Sequence, residues 1–343
     1  MSNIAKLCSL QTSGIKQLPS DEFVLPGCCV GIELEWENFP IDLHEDDDLL
    51  TELYQFWNIT RDHSLRGNNA WEIRFSNPLA GDNILSSFRV LNSLVEKVGI
   101  PSLSRRCSTH VHVDVRDLDF NQFNNFLALY AAVETMLFNW VGENRINNIY
   151  CLPMHNIVGD LRAISGLKEE TLRMQLADDM YGFGPYKYAA LNISAVPQFG
   201  SLEFRHMGGC DDFDRLKEWI NIIQCIKKYV MENDNIQIKS MPHMISAMGE
   251  EQFITRVFGK YAEQLKYVGF ESDIRRGVRL SQIFIYNENF IEGSKWIRDR
   301  LWDEDDFEEV TKQVPDYWNN RAGLLRYNLQ PAFKELLTDM IKE

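Results

Sequence analysis

Gly31-Ile-Glu-Leu-Glu-Trp-Glu37 is the stretch that decides how this chain is read. In a β-strand, residues two apart share a face. Ile32, Leu34 and Trp36 then point to one side, and Glu33, Glu35 and Glu37 to the other. Three further stretches repeat the scheme. Over 71–76, Ile73 and Phe75 oppose Glu72, Arg74 and Ser76; over 110–116, Val111, Val113 and Val115 oppose His110, His112 and Asp114. Over 201–206, Leu202 and Phe204 oppose Glu203 and Arg205. A half-exposed strand ordinarily turns Thr, Ser, Lys and mixed charge to water. These polar faces are instead Glu, His and Arg, with almost no Lys, which predicts a sheet with one apolar face and one ligand-lined face.

Neighbouring carboxylates repel and raise one another's pKa, although water screens them on a solvated strand. Glu33 and Glu35 alone therefore suit a plain edge strand equally well, and a His-x-His pair alone suits a structural role. Taken with His110, His112 and Glu203, the glutamates suit a hard cation. Carboxylate oxygens favour Mg²⁺ or Mn²⁺, and imidazole can fill one position. Arg74 and Arg205 share these faces. They either pair with the carboxylates or offer a guanidinium fork to phosphate or carboxylate oxygens. The sequence has no GxxxxGK[ST] loop, and Gly208-Gly209 is not a GxGxxG fingerprint, so nucleotide recognition would fall to the sheet itself.

The 343 residues carry 35 Lys plus Arg against 50 Asp plus Glu, a net charge of −15. That balance argues against extended nucleic-acid binding, which needs a basic footprint. With 45% hydrophobic and 12% aromatic residues the chain can bury a core. No apolar run approaches the roughly 18 residues of a membrane span, and residues 1–18 lack a signal-peptide apolar stretch. Seven scattered cysteines with no CxxC pair suggest free thiols in a reducing cytoplasm. The pattern predicts an N-terminal arm (1–26), a main domain of short strands and amphipathic helices (27–232) and a mainly helical accessory region (233–343). Apolar spacing predicts a helix over 84–98, with Asp82 as N-cap and Gly99 as the stop, a second over 121–141, and a third after Asp211-Asp212. Residues 253–265, 296–302 and 332–341 also read as helical, 279–286 as a strand, and 303–309 as an acidic surface run.

The order of motifs resembles the amidoligases, carboxylate–amine ligases with a glutamine-synthetase-like catalytic fold. The matching pieces are GIELEWE (31–37), DHSL (62–65) leading to WEIRFSNPLAG (71–81), and CSTHVHVDV (107–115). ENRINNIYCLP (143–153), YKYAALNISA (186–195) and GSLEFRHMGG (200–209) follow, so the resemblance spans about 29–230. It implies an α+β fold: a curved, mostly antiparallel sheet with helices on its outer face and substrates on its inner face. It implies an ATP- and Mg²⁺-dependent (or Mn²⁺-dependent) ligase that joins a carboxylate to an amine through an acyl phosphate. The substrates would be small molecules or peptides, and a glutamine amidotransferase partner supplying ammonia fits such ligases.

On the resemblance, Glu33, Glu35, Glu72, His112 and Glu203 are candidate metal ligands, with Glu35, Glu203 and Arg205 as catalytic candidates. Arg205 would stabilise charge on the transferred phosphoryl group. Arg145, Arg74, His110, Tyr188 and Asn192 are candidate nucleotide or substrate contacts. His63 stands after Asp62 where the family usually has a small residue, which weakens a catalytic role for Asp62. In a regular strand His206 points to the apolar side, and Cys151 reads as a buried, inert thiol. Two other readings stay open: a metal-dependent hydrolase of the amidohydrolase type, suggested by His110-x-His112, and a non-catalytic binding or structural protein on the same fold.

Overall fold

The computed structural model describes residues 2–11, 20–41, 48–142, 145, 148, 151–153, 169–177, 189–233, 245 and 247–281. The four alternating stretches do form strands, joined by two that the sequence pattern does not announce. These are β1 (Val30–Trp36), β2 (Trp57–Arg61), β3 (Trp71–Phe75), β4 (Ser108–Asp114), β5 (Leu191–Asn192) and β6 (Ser201–Gly208). They build one antiparallel sheet in the order β2-β3-β1-β4-β6-β5. The edge-strand reading of Glu33 and Glu35 is therefore overturned, because β1 is hydrogen-bonded on both sides.

In chain order the helices are α1 (Ile4–Leu7), α2 (Asp48–Leu53), α3 (Asp82–Val98), α4 (Phe120–Val141) and α5 (Leu172–Ala177). They continue with α6 (Val196–Phe199), α7 (Phe213–Glu232), α8 (Glu250–Phe258), α9 (Ala262–Leu265) and α10 (Phe270–Ser281). Local chemistry sets their ends. Asp119 and Gln122 make a capping box on α4, and Asp212 accepts from the Arg215 amide at the start of α7. Asp82, expected as a cap, lies one residue inside α3, where its charge suits the helix dipole; Gly81, at φ +54°, takes the cap position. Among the described residues, no helix is long and apolar enough to cross a membrane.

The apolar sheet face is buried beneath α3, α4 and α7 in one hydrophobic cluster. Phe204 of β6 meets Phe126 of α4 and Trp219 of α7 edge-on, and Trp57 Nε1 of β2 donates to the Ser87 carbonyl of α3. Residues near the N-terminus, expected to be aperiodic, are docked. Ile4 and Cys8 are buried, and the Ile4 and Ala5 amides donate to the Leu118 and Arg116 carbonyls. The predicted helix over 253–265 is broken by Gly259 at φ +53°. The strand expected over 279–286 is overturned at its start, since 279–281 close α10, whose Ile274, Val278 and Ser281 are buried one turn apart. The rest of that stretch, 296–302, 303–309 and 332–341 lie outside the described residues.

His206 faces the helices, as strand alternation requires. Tyr130 donates its hydroxyl proton to Glu134 Oε1 (2.6 Å), and His206 Nε2 lies 2.9 Å from the same hydroxyl oxygen. Burial, helped by the Arg145 charge, pushes the His206 pKa down from 6.5 to about 3. The folded protein thus refuses a proton that the unfolded chain accepts. Stability from this residue is full above the unfolded pKa and falls as the pH drops towards the folded one. Between pH 7.5 and 5.5 the wild type should lose about 1.4 kcal/mol that His206→Phe does not lose. Urea unfolding of both proteins at the two pH values checks this; parallel losses would contradict it.

Candidate active site

On the face away from the helices, register decides which polar side chains meet. Glu33 sits between Arg74 and His110, Gly31 beside His112, and Glu203 between His112 and Asn192. A Cβ on Gly31 would lie 3.2 Å from that of His112, so glycine leaves the imidazole room beside β1. The outcome is a convergence of three strands: Glu33, His112 and Glu203 bring one ligand atom each within 4.8 Å of the others. Among the described residues, no other group of three or more such side chains gathers in this way.

The electrostatics of the trio suit a cation. Burial pushes the Glu33 carboxyl upward, but the hydrogen bond and charge of His110, with His112 and Arg205, hold its pKa at about 2. Burial also opposes ionisation of Glu203, and the charges of Arg205, His110 and His112 outweigh it. His112 goes the other way: burial lowers its pKa despite the nearby glutamates, so at neutral pH its ring is uncharged. Its Nδ1 lies 3.0 Å from Ser201 Oγ, and its Nε2 lies 3.8 Å from Glu33 Oε1. The tautomer that donates Nδ1–H to Ser201 leaves the Nε2 lone pair facing the carboxylates. Two carboxylates and one neutral imidazole are a donor set that fits Mg²⁺ or Mn²⁺.

The surrounding residues hold this trio in place. Arg205 donates from Nη1 to Glu203 Oε1 at 2.5 Å. Asn192 donates from Nδ2 to Glu203 Oε2 at 2.6 Å, while its Oδ1 accepts from the amide and hydroxyl of Ser194. Asn192, expected to contact nucleotide or substrate, is thus buried and engaged in orienting Glu203. His110, also expected to contact nucleotide or substrate, lies against the same carboxylates. It is buried, with Nδ1 at 3.2 Å from Glu33 and 3.4 Å from Glu203, between the two carboxylates. Of the two histidines, His112 alone belongs to the gathered trio, so His110-x-His112 is not brought together as a pair of ligand atoms.

The five-ligand set divides. Glu35 and Glu72 are cross-strand partners one pleat repeat further along the sheet, and outside the trio. Glu35 Oε2 accepts from the Ser108 amide (2.8 Å) and hydroxyl (2.6 Å). Glu72 pairs with Arg74 at 3.3 Å, and burial together with the nearby Glu33 charge raises its pKa. Arg145, expected to contact phosphate or substrate, is buried. It donates from Nε to the His206 carbonyl and from Nη2 to the Arg205 carbonyl, both at 2.8 Å, so it fastens the strand that carries Glu203 and Arg205. Cys151 is buried with its thiol pushed up to about 12, an inert group as expected. Tyr188 lies outside the described residues.

Sequence reasoning missed Ser201 and Ser108 as site residues. Each stands two positions before a polar-face residue, Glu203 or His110, so carrying the alternation one step further would have found both. Ser201→Ala removes the acceptor that sets the His112 tautomer. It should weaken Mn²⁺ binding about 10- to 100-fold while the protein stays folded. Calorimetric titration with Mn²⁺ checks this, and an unchanged affinity would show that Ser201 does not orient the ring.

An antiparallel sheet with one face under helices and the other gathering carboxylates, imidazole and guanidinium defines an α+β protein with an enzyme-type centre. A family model described as "Putative amidoligase enzyme" matches residues 57–227, and over that segment the chain belongs to the amidoligase family. The match begins at β2, so Glu33 and Glu35 precede it, and strand pairing brings them to Glu72, His112 and Glu203 within it. No curated protein gave a match.

Proposed function

We propose that this chain is an ATP- and Mg²⁺-dependent ligase that joins a carboxylate to an amine, built on a glutamine-synthetase-like catalytic domain over 27–232. A carboxylate is a poor acyl donor because its leaving group would be oxide. Transfer of the γ-phosphoryl group to a carboxylate oxygen releases ADP and forms an acyl phosphate. The amine nitrogen then attacks the acyl carbon, the C–O bond to phosphate breaks, and the nitrogen gives up a proton. Glu33, His112 and Glu203 would hold Mg²⁺ or Mn²⁺. When bound, the ion neutralises charge on phosphate oxygens.

The chain's own residues supply position and field. Arg205 fixes Glu203 and brings a guanidinium charge to the place where phosphoryl oxygens would gather. Glu35 and Glu72 would draw an ammonium to the other end of the polar face, and Glu72, with its raised pKa, suits proton acceptance there. Ammonia delivered by a glutamine amidotransferase partner is one form that amine could take. The observation that carries this reading is the meeting of Glu33, His112 and Glu203 from three separate strands beside Arg205. The test is ADP and phosphate release that requires a carboxylate and an amine together. No ATP use across a broad panel, with no nucleotide binding, would end it.

A further inference from the structure

One end of the sheet carries exposed arginines that the centre does not use. Arg61 closes β2, Arg66 follows in the connection to β3, and Arg105 and Arg106 precede β4. Hydrogen bonds knit these loops into one surface. Arg106 Nη1 donates to the Ser64 carbonyl (3.1 Å), Arg61 Nη1 to the Asn68 carbonyl (2.7 Å), and Asn38 Nδ2 to Ser102 Oγ (3.3 Å). The nearby acids are already engaged with backbone amides: Glu37 Oε1 accepts from the Arg66 amide (2.8 Å) and Asp62 Oδ1 from the Ser64 amide (2.8 Å). Among the described residues, no carboxylate pairs with any of the guanidinium groups of Arg61, Arg66, Arg105 and Arg106. In a chain of net charge −15, arginines left without acidic partners on knitted loops are suited to an external anion.

We propose that this cluster binds the distal carboxylates of the acid substrate, which makes that substrate an extended acidic peptide. The assignment of the ligand as substrate rests on the ligase reading; the binding itself does not. Glu37, which holds the Arg66 amide, stands four residues beyond Glu33, just past the end of β1. At a rise of about 3.3 Å per residue, the cluster begins roughly 13 Å from the cation centre. An extended peptide of about four residues spans that distance. The triphosphate of ATP would have its cation at Glu33, His112 and Glu203, and the acidic Glu35 and Glu72 suit the amine, so the cationic cluster is left to the acid.

The probe is a peptide of four glutamates, titrated calorimetrically into the full chain with Mg²⁺ and without ATP. Binding should weaken as salt rises, and Arg66→Glu/Arg105→Glu should weaken it at least about tenfold. Arg66→Gln/Arg105→Gln should fall between the two, and Mn²⁺ affinity should be the same in all three proteins. Neither guanidinium has a partner among the described residues, and matched melting curves confirm that the variants fold. No peptide binding by the wild type, or equal binding by the charge-reversed variant, overturns the proposal. So does an equal loss of ATP or tripolyphosphate binding, which would make the cluster a nucleotide phosphate site. Peptide binding without any ATP use would leave the cluster standing and remove the ligase reading. ATP-dependent ligation with no peptide binding would do the reverse.

Discussion

Glu203→Gln is expected to abolish cation binding at the centre and to lower turnover by roughly 10²- to 10³-fold, while the protein remains folded. Glu203 supplies one of the two anionic ligand groups of the trio and receives Arg205 and Asn192 on its two oxygens. Glutamine keeps the volume and one acceptor oxygen but removes the charge. Arg205 then faces the site without its carboxylate, and the positive charge that the cation would add is no longer balanced. The lost Arg205 pairing should cost about 1–3 kcal/mol of stability, less than the change in activity. Mn²⁺ titration, ADP release and a melting curve on the same preparation separate the effects. A variant that retains Mn²⁺ affinity and turnover would remove Glu203 from the centre.

Gly277→Ala is expected to destabilise the protein by about 2–3 kcal/mol, against the sign that helix propensity alone predicts. In an exposed helix the same change gains up to about 1 kcal/mol, because alanine loses less backbone freedom on folding. Gly277 of α10 lies against the backbone of α4. A Cβ there would sit 2.4 Å from the Ala132 carbonyl oxygen and 2.7 Å from that of Ala131. Neither contact can swing away as a side chain could. The two helices must part, and Ile274 and Val278 lose part of their burial against the common core. Urea unfolding measures the difference, and a neutral or stabilised variant would show that α10 does not pack this closely.

The strands that carry the chemistry were legible because apolar and polar residues alternate along most of each. Ile32, Leu34 and Trp36 are buried while Glu33 and Glu35 are not. Val111, Val113, Leu202 and Phe204 are buried on the same side, and the opposing His110 and Glu203 are buried too, against one another. The edges were not legible. β5 has only two residues, and β2 offers only Trp57 and Ile59 as inward apolar positions. Register was the larger gap. Alternation puts His110 and His112 on one face, but pairing sends them to different tasks. His112 stands opposite Gly31 and Glu203, and His110 opposite Glu33, with an irregularity in β4–β6 pairing between Thr109 and Val111. Asn192 and Arg145 were noticed as polar residues in the right segments. Their partners on β6 come from pairing and loop closure, which no local pattern encodes. Lys227 was missed altogether: it is buried four residues after Ile223 on the apolar stripe of α7. There it donates to the Asp114 carbonyl and pairs with Asp117, both at 2.7 Å.

The central claim is that three strands deliver Glu33, His112 and Glu203 to one divalent cation. The measurement that reaches it most directly is anomalous diffraction from crystals grown with Mn²⁺ and a non-hydrolysable ATP analogue. The predicted result is an anomalous peak within coordination distance of all three side chains, with the analogue's phosphates beside it and Arg205 within reach. Manganese bound elsewhere on the chain, with those three side chains unliganded, would contradict the account.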